Sequence, residues 1–149
     1  MNRTRANAQP VIIVVGFAAG PGGSGVAYAK LRTSDPAAES IVRVGFRCRP
    51  LAALRGRDVA YAALAAVASE AFRRGERDVE LRLADVELVL DITARRALPA
   101  TLTVPYVTLR CTLNRFTRAA VVPAGDEARD LTARARAESS LFASSFIAA

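Results

Sequence analysis

A chain of 149 residues, 52% of them hydrophobic, is long enough for one domain with a real core and too short for two ordinary ones. Its formal charge of +7 rests on arginine, since Lys30 is the only lysine, and the chain holds no histidine and no tryptophan. The missing histidine excludes the commonest general base, the commonest zinc ligand and every Ser-His or Cys-His nucleophile pair. The arginine excess permits phosphate contacts, although a GC-rich genome yields the same composition.

Cys48 and Cys111 stand far apart and in no CxxC spacing, so neither a metal knuckle nor a disulfide framework is indicated, and a reduced, cytoplasmic setting is the expectation. Nothing approaches the ~20 apolar residues of a membrane-spanning helix. The run Val11 to Ala19 after Arg3 and Arg5 has the outline of a signal-peptide apolar region. Pro10 before it and its VIIVV content favour a buried strand instead.

Residues 1–10 read as a disordered tail, 11–138 as the domain and 139–149 as an apolar tail. Val11 to Phe17 is the first strand. The GPGGSG segment, Gly20 to Gly25, is a tight turn into a second strand, Val26 to Arg32; it lacks the Lys-Ser/Thr ending of a phosphate-binding P-loop. A further turn, Ser34 to Ser40, leads to a third strand, Ile41 to Arg47, of alternating character. Arg57 to Gly75, RDVAYAALAAVASEAFRRG, is an amphipathic helix with Asp58 as its N-cap and Gly75 after its end, able to lie close to a sheet along Val59, Ala63, Ala66, Val67 and Ala71.

Val79 to Leu83 is a short strand ending at Ala84-Asp85, and Glu87 to Ala97 is a helix. Pro99 and Pro105 bracket a loop. Tyr106 to Phe116 places Tyr106, Leu109, Leu113 and Phe116 on one helical face, although its Val and Thr content leaves a strand open. Ala119 to Val122 is a last strand and Asp126 to Glu138 a last helix, acidic at its start and basic later as the helix dipole prefers. The tail SSLFASSFIAA either folds back on the core or meets a partner.

Four stretches together resemble the ribonuclease H family. GPGGSGVAYA is similar to that family's Asn-Pro-Gly-Pro turn and second strand, without the asparagine. RDVAYAALAAVASEAFRRG resembles its helix opening Asn-x-Ala-Glu-Tyr, VELRLADVELVLDIT its strand ending in Asp-Ser before a Leu-Val helix, and AVVPAGDEARDLTARA its Val-Pro loop and closing helix. The resemblance implies an α/β ribonuclease H-like fold with a five-stranded mixed sheet, three antiparallel strands followed by parallel ones, flanked by helices.

The same resemblance implies hydrolysis of the RNA strand of an RNA–DNA hybrid by two Mg²⁺ ions ~3.5–4 Å apart, held by four carboxylates. In this sequence those positions fall at Val15 or Gly16, at Ala60, at Asp85 and at Arg129, so one acid of the four is kept. Asp58 and Asp130 are turned ~200° and ~100° away from Ala60 and Arg129 on their helices and do not substitute. Asp126 and Glu127, nearer the loop, remain candidates to approach.

The expectation is therefore a catalytically inactive ribonuclease H-like domain, without Mg²⁺ or other cofactor. It would bind nucleic acid, an RNA–DNA hybrid or RNA, through Arg43, Arg47, Arg57 and Arg129. The alternatives are an assembly module, pairing with itself or another protein through the alanine-rich helix, Tyr106 to Phe116 and the tail, and a divergent active Mg²⁺-dependent enzyme. Arg129 is expected either to pair with the orphaned Asp85 or to turn outward towards a phosphate.

Overall fold

The structure is a computed structural model describing residues 9–20 and 22–147, of which 36 and 142–147 by backbone alone. The strands are β1 (Val11–Ala19), β2 (Ser24–Arg32), β3 (Ser40–Arg47), β4 (Asp78–Leu83) and β5 (Arg118–Pro123). They form one sheet in the order β3-β2-β1-β4-β5. The β1–β2 and β2–β3 pairs are antiparallel, while β4 and β5 run parallel to β1. The helices are α1 (Arg57–Arg73), α2 (Val86–Ala94), α3 (Thr103–Leu113) and α4 (Arg129–Ile147). This is the ribonuclease H-like architecture, a five-stranded mixed sheet with helices on both faces.

The helices split the core into two unequal layers. Ile13, Val15, Ala27, Ala29, Leu81 and Leu83 point from the sheet into the larger one, with α1, α2 and α3 above them. Val14, Val26 and Tyr28 point to the opposite face, where α4 covers them with Leu131 and Ala135. The period-2 alternation of a strand sets this division. Alpha1 is the central element: Ala60, Ala63, Leu64 and Ala68 are fully buried, because the sheet lies on one side and α3 on the other. Alanine at these positions lets helix and sheet approach closely. Ala66, expected on the packing line, is only half-buried.

Alpha1 is not capped by Asp58. Its N-cap is Gly56, without a side-chain cap bond, and Asp58 lies within the first turn. There the buried carboxylate accepts from Leu51 N–H (2.8 Å) and Val59 N–H (2.9 Å), so it ties down the connection before the helix. At the other end Gly75, at φ 96°, takes the left-handed conformation that favours glycine, and Glu76 N–H returns to Ala71 O at 3.1 Å. Pro105, expected to close a loop, lies inside α3, where the first turn tolerates a missing N–H.

The final helix begins later and runs further than its sequence suggests. A 3₁₀ turn, Gly125–Ala128, precedes it, and the segment 139–147, expected beyond the helix, continues α4. Leu141 is exposed, and the side chains of Phe142, Phe146 and Ile147 lie outside the described residues, as does most of the expected tail 1–10. Among the described residues no helix is long and apolar enough to cross a membrane.

Candidate functional site

Parallel pairing puts the carboxyl ends of β1, β4 and β5 at one end of the sheet, where β2 also begins and β3 ends. The β1–β2 turn, Arg47, Asp85, the start of α1 and the start of α4 are all gathered there. In open α/β sheets this is where ligands bind.

Of the two positions left open on β1, the structure separates Val15 from Gly16. Val15 is 1% exposed, pairs in register with Leu83 and joins the core layer that contains Ala60. Gly16 faces the other way, against α4: a Cβ there would lie 2.3 Å from Thr132 N and 2.5 Å from Leu131 C. Only glycine lets this helix backbone come so close. Val15 and Ala60 therefore both lie in the larger apolar layer, with Leu83 and Leu88.

Asp85 is the N-cap of α2, and its Oδ1 accepts from Leu88 N–H at 3.0 Å. Arg129, 76% exposed, donates to Asp126 Oδ1 at 2.8 Å. The expected Asp85–Arg129 pair does not form. A cap bond already gives Asp85 a partner, and Asp126 lies three residues from Arg129 on the same turn. Glu127 turns to the α4 face of the sheet, where Arg32 (3.0 Å) and Arg82 (2.9 Å) hold it. The Arg82 hydrogen bond, with that of Arg32, keeps its carboxyl below the usual range.

These residues do not fit a pair of divalent ions. Among the described residues no group of three His, Cys, Asp or Glu side chains could hold a metal. Hard cations need several oxygen ligands converging on one point, and here Val15 and Ala60 supply none.

The arginines singled out in the sequence have different fates. Arg43 donates to Glu138 Oε1 (2.6 Å), and the Tyr28 hydroxyl donates to Oε2 of the same carboxylate. That pairing holds α4 to β2 and β3, and the Arg43 hydrogen bond keeps the Glu138 carboxyl low. Arg57 is committed to Asp91 at 2.8 Å and is only 24% exposed, so it offers nothing to a phosphate. Arg47 is exposed, as are Arg49 and Arg55 on the connection that follows, and among the described residues none of the three has an ion pair. Arg55 sits at φ 51°, left-handed backbone that costs a non-glycine residue.

Asp91 is the functional-looking group that sequence reasoning missed. It is fully buried on α2 and accepts from Arg57 (2.8 Å), Tyr61 Oη (2.8 Å) and Arg96 Nε (2.7 Å). Burial pushes its carboxyl up, but the hydrogen bonds from Arg96, Arg57 and Tyr61 outweigh that and hold it below its ordinary value. Burial, then the Asp91 bond and charge, push the Tyr61 phenol upward, so it stays a donor. The signal was present: Asp91 shares a helical face with Leu88 and Ile92, an unusual place for a carboxylate without partners.

Comparison with solved structures gives the same architecture. The chain is similar to ribonuclease H1 from the halophilic archaeon Halobacterium salinarum NRC-1, with TM-score 0.64, 23% identity, and 87% of this chain and 99% of that one covered. It is also similar to the N-terminal ribonuclease H domain of Rv2228c from Mycobacterium tuberculosis (TM-score 0.60, 18% identity, covering 89% and 99%). A third is LC11-RNase H1, solved in complex with an RNA/DNA hybrid (TM-score 0.53, 17% identity, covering 84% and 95%). At these identities the likeness defines the fold. No protein-family model matches the sequence, and no curated protein matches it.

Proposed function

We propose that this chain is a non-catalytic ribonuclease H-like domain that binds nucleic acid, an RNA–DNA hybrid or RNA, through the end of the sheet where the β1–β2 turn and the starts of α1 and α4 meet. The observation that carries the loss of catalysis is the burial of Val15 and Ala60, 1% and 0% exposed, in one apolar layer. A two-metal site needs carboxylates to neutralise +4 of charge, and this layer has none to give. Binding is supported by the exposed Arg47, Arg49 and Arg55 at the same end, which have no ion pair among the described residues, and by LC11-RNase H1, a neighbour in fold solved in complex with an RNA/DNA hybrid. Arginine suits such a role because its planar fork matches phosphate oxygens.

Two measurements test this. Fluorescence anisotropy with a labelled hybrid at low salt is expected to give saturable binding that weakens steeply as salt rises; no binding at low salt refutes the nucleic-acid reading. A cleavage assay on the same hybrid with Mg²⁺ or Mn²⁺ is expected to leave it intact, and cleavage abolished by Asp85→Asn would establish the enzyme reading instead.

One observation favours the assembly alternative. Val104 and Val107 lie 74% and 51% exposed on α3, whereas the alanine-rich α1 is covered by the chain itself. Light scattering that gave a dimer mass, reduced to a monomer by Val104→Asp with Val107→Asp, would favour that reading.

A further inference from the structure

The first two turns of α4 and the exit of β4 line an open cleft of about 310 Å³ at this end of the sheet. Ala84 and Ala128 form its small apolar walls, and Arg129, Thr132, Arg136 and Asp126 supply its polar groups. Arg129 and Arg136 are seven residues apart, so they leave the helix in nearly the same direction, about 10 Å apart along its axis. Thr132, between them in sequence, lines the same cleft. The two guanidiniums against one carboxylate leave the lining at a formal charge of +1. Arg136 has no ion pair among the described residues. Arg129 spends its charge on Asp126, but both are largely exposed, at 76% and 89%, and an exposed pair of that kind is weak enough for a phosphate to displace.

We infer that this cleft seats a backbone phosphate of the bound nucleic acid directly on Arg129 and Arg136, with no metal ion between protein and phosphate. The inference rests on the nucleic-acid reading above and adds the position and chemistry of one contact. A site that holds phosphate through divalent cations must be lined by acids; this one presents cations of its own, so added Mg²⁺ would compete with the protein for the phosphate rather than bridge to it. Asp126 would release Arg129 as the phosphate arrives, exchanging one anionic partner for another.

The test is anisotropy titration of a fluorescein-labelled RNA–DNA hybrid with the full chain, at several salt concentrations, in EDTA and in Mg²⁺. Binding is expected to be at least as tight in EDTA as in Mg²⁺. The double variant Arg129→Ala with Arg136→Ala should weaken binding alike for hybrids of different sequence. It should also flatten the slope of log K against log salt by about one to two, the release expected when one or two phosphate contacts are lost. Arg73→Ala, which removes an exposed arginine from the opposite end of α1, serves as the control and should change neither. If the double variant does not fold, Arg136→Gln alone carries the test, since Arg136 has no ion pair to lose. Wild-type binding that needs Mg²⁺, or a double variant indistinguishable from Arg73→Ala, overturns the inference while leaving nucleic-acid binding intact. A wild-type chain that binds no hybrid at all overturns both.

Discussion

Replacing Asp91 with asparagine removes one charge from a fully buried position and leaves Arg57, Tyr61 and Arg96 facing a neutral group. Deleting one partner of a buried ion pair costs ~3–5 kcal/mol, because the remaining charge is stranded away from water. Here the strandedness is partial. Arg57 and Arg96 are 24% and 36% exposed, and the asparagine carbonyl can still accept from Tyr61, so the lower end, ~3 kcal/mol, is the expectation. For a domain of this size that corresponds to a fall in Tm of roughly 6–12 °C. Thermal unfolding followed by circular dichroism at neutral pH measures it.

The pH dependence supplies the sign. Asp91 is held below its ordinary pKa in the folded chain, so its contribution is complete above the unfolded value of ~3.9 and is lost as pH falls through the lower folded value. The gap between wild type and Asp91→Asn should therefore be constant near neutrality and close on acidification below about pH 4. A gap under ~1 kcal/mol at neutral pH, or one of constant size into strong acid, would refute the claim that a charged Asp91 clasps these helices.

Two further substitutions probe the site. Gly16→Ala drives a Cβ to 2.3 Å from the backbone of α4, which cannot move aside like a side-chain tip, so a loss of ~1–3 kcal/mol or more is expected. A fall in the urea midpoint at unchanged m-value would show it; an unchanged midpoint would mean α4 sits further from β1. Ala60→Glu places a carboxylate at a position of 0% exposure, so it should lower Tm, with no recovery on adding Mg²⁺. A Mg²⁺-dependent rise in Tm would mean the remaining oxygens can still gather a cation.

Local rules carried the sequence reading as far as local physics decides the outcome. Alternation places Ile13, Val15 and the strands after them, and the periodicity of α1 with Gly75 behind it fixes that helix to within a residue or two. Where competing local solutions exist, the choice depends on neighbours distant in sequence. Asp58 has the chemistry of an N-cap, but the chain before α1 needs a partner for Leu51 N–H, and Gly56 takes the cap position instead. Alpha4 outlasts its charged stretch, and Glu138 near its middle meets Tyr28 on β2 and Arg43 on β3, partners distant in sequence. Arg57 read as surface charge for the same reason: its partner, Asp91, lies 34 residues further on. That Val15 and Ala60 offer no carboxylate depends only on residue type. Val15 and Ala60 cannot bind a metal wherever the fold puts them, whereas the Asp85–Arg129 pairing depended on geometry and did not form.

The contacts at this end of the sheet join its elements directly. Val15 and Ala60 join β1 to α1 by apolar contact, a non-directional attraction that needs no ion. Gly16 lets α4 rest on β1 backbone to backbone, and Asp85 serves the helix that follows it. Of the two buried carboxylates among the described residues, Asp58 holds the connection before α1, and Asp91, satisfied by Arg57, Tyr61 and Arg96, joins α1 to α2. The elements that meet at this end of the sheet are thus joined by apolar contact, backbone packing and hydrogen bonds of the chain's own residues.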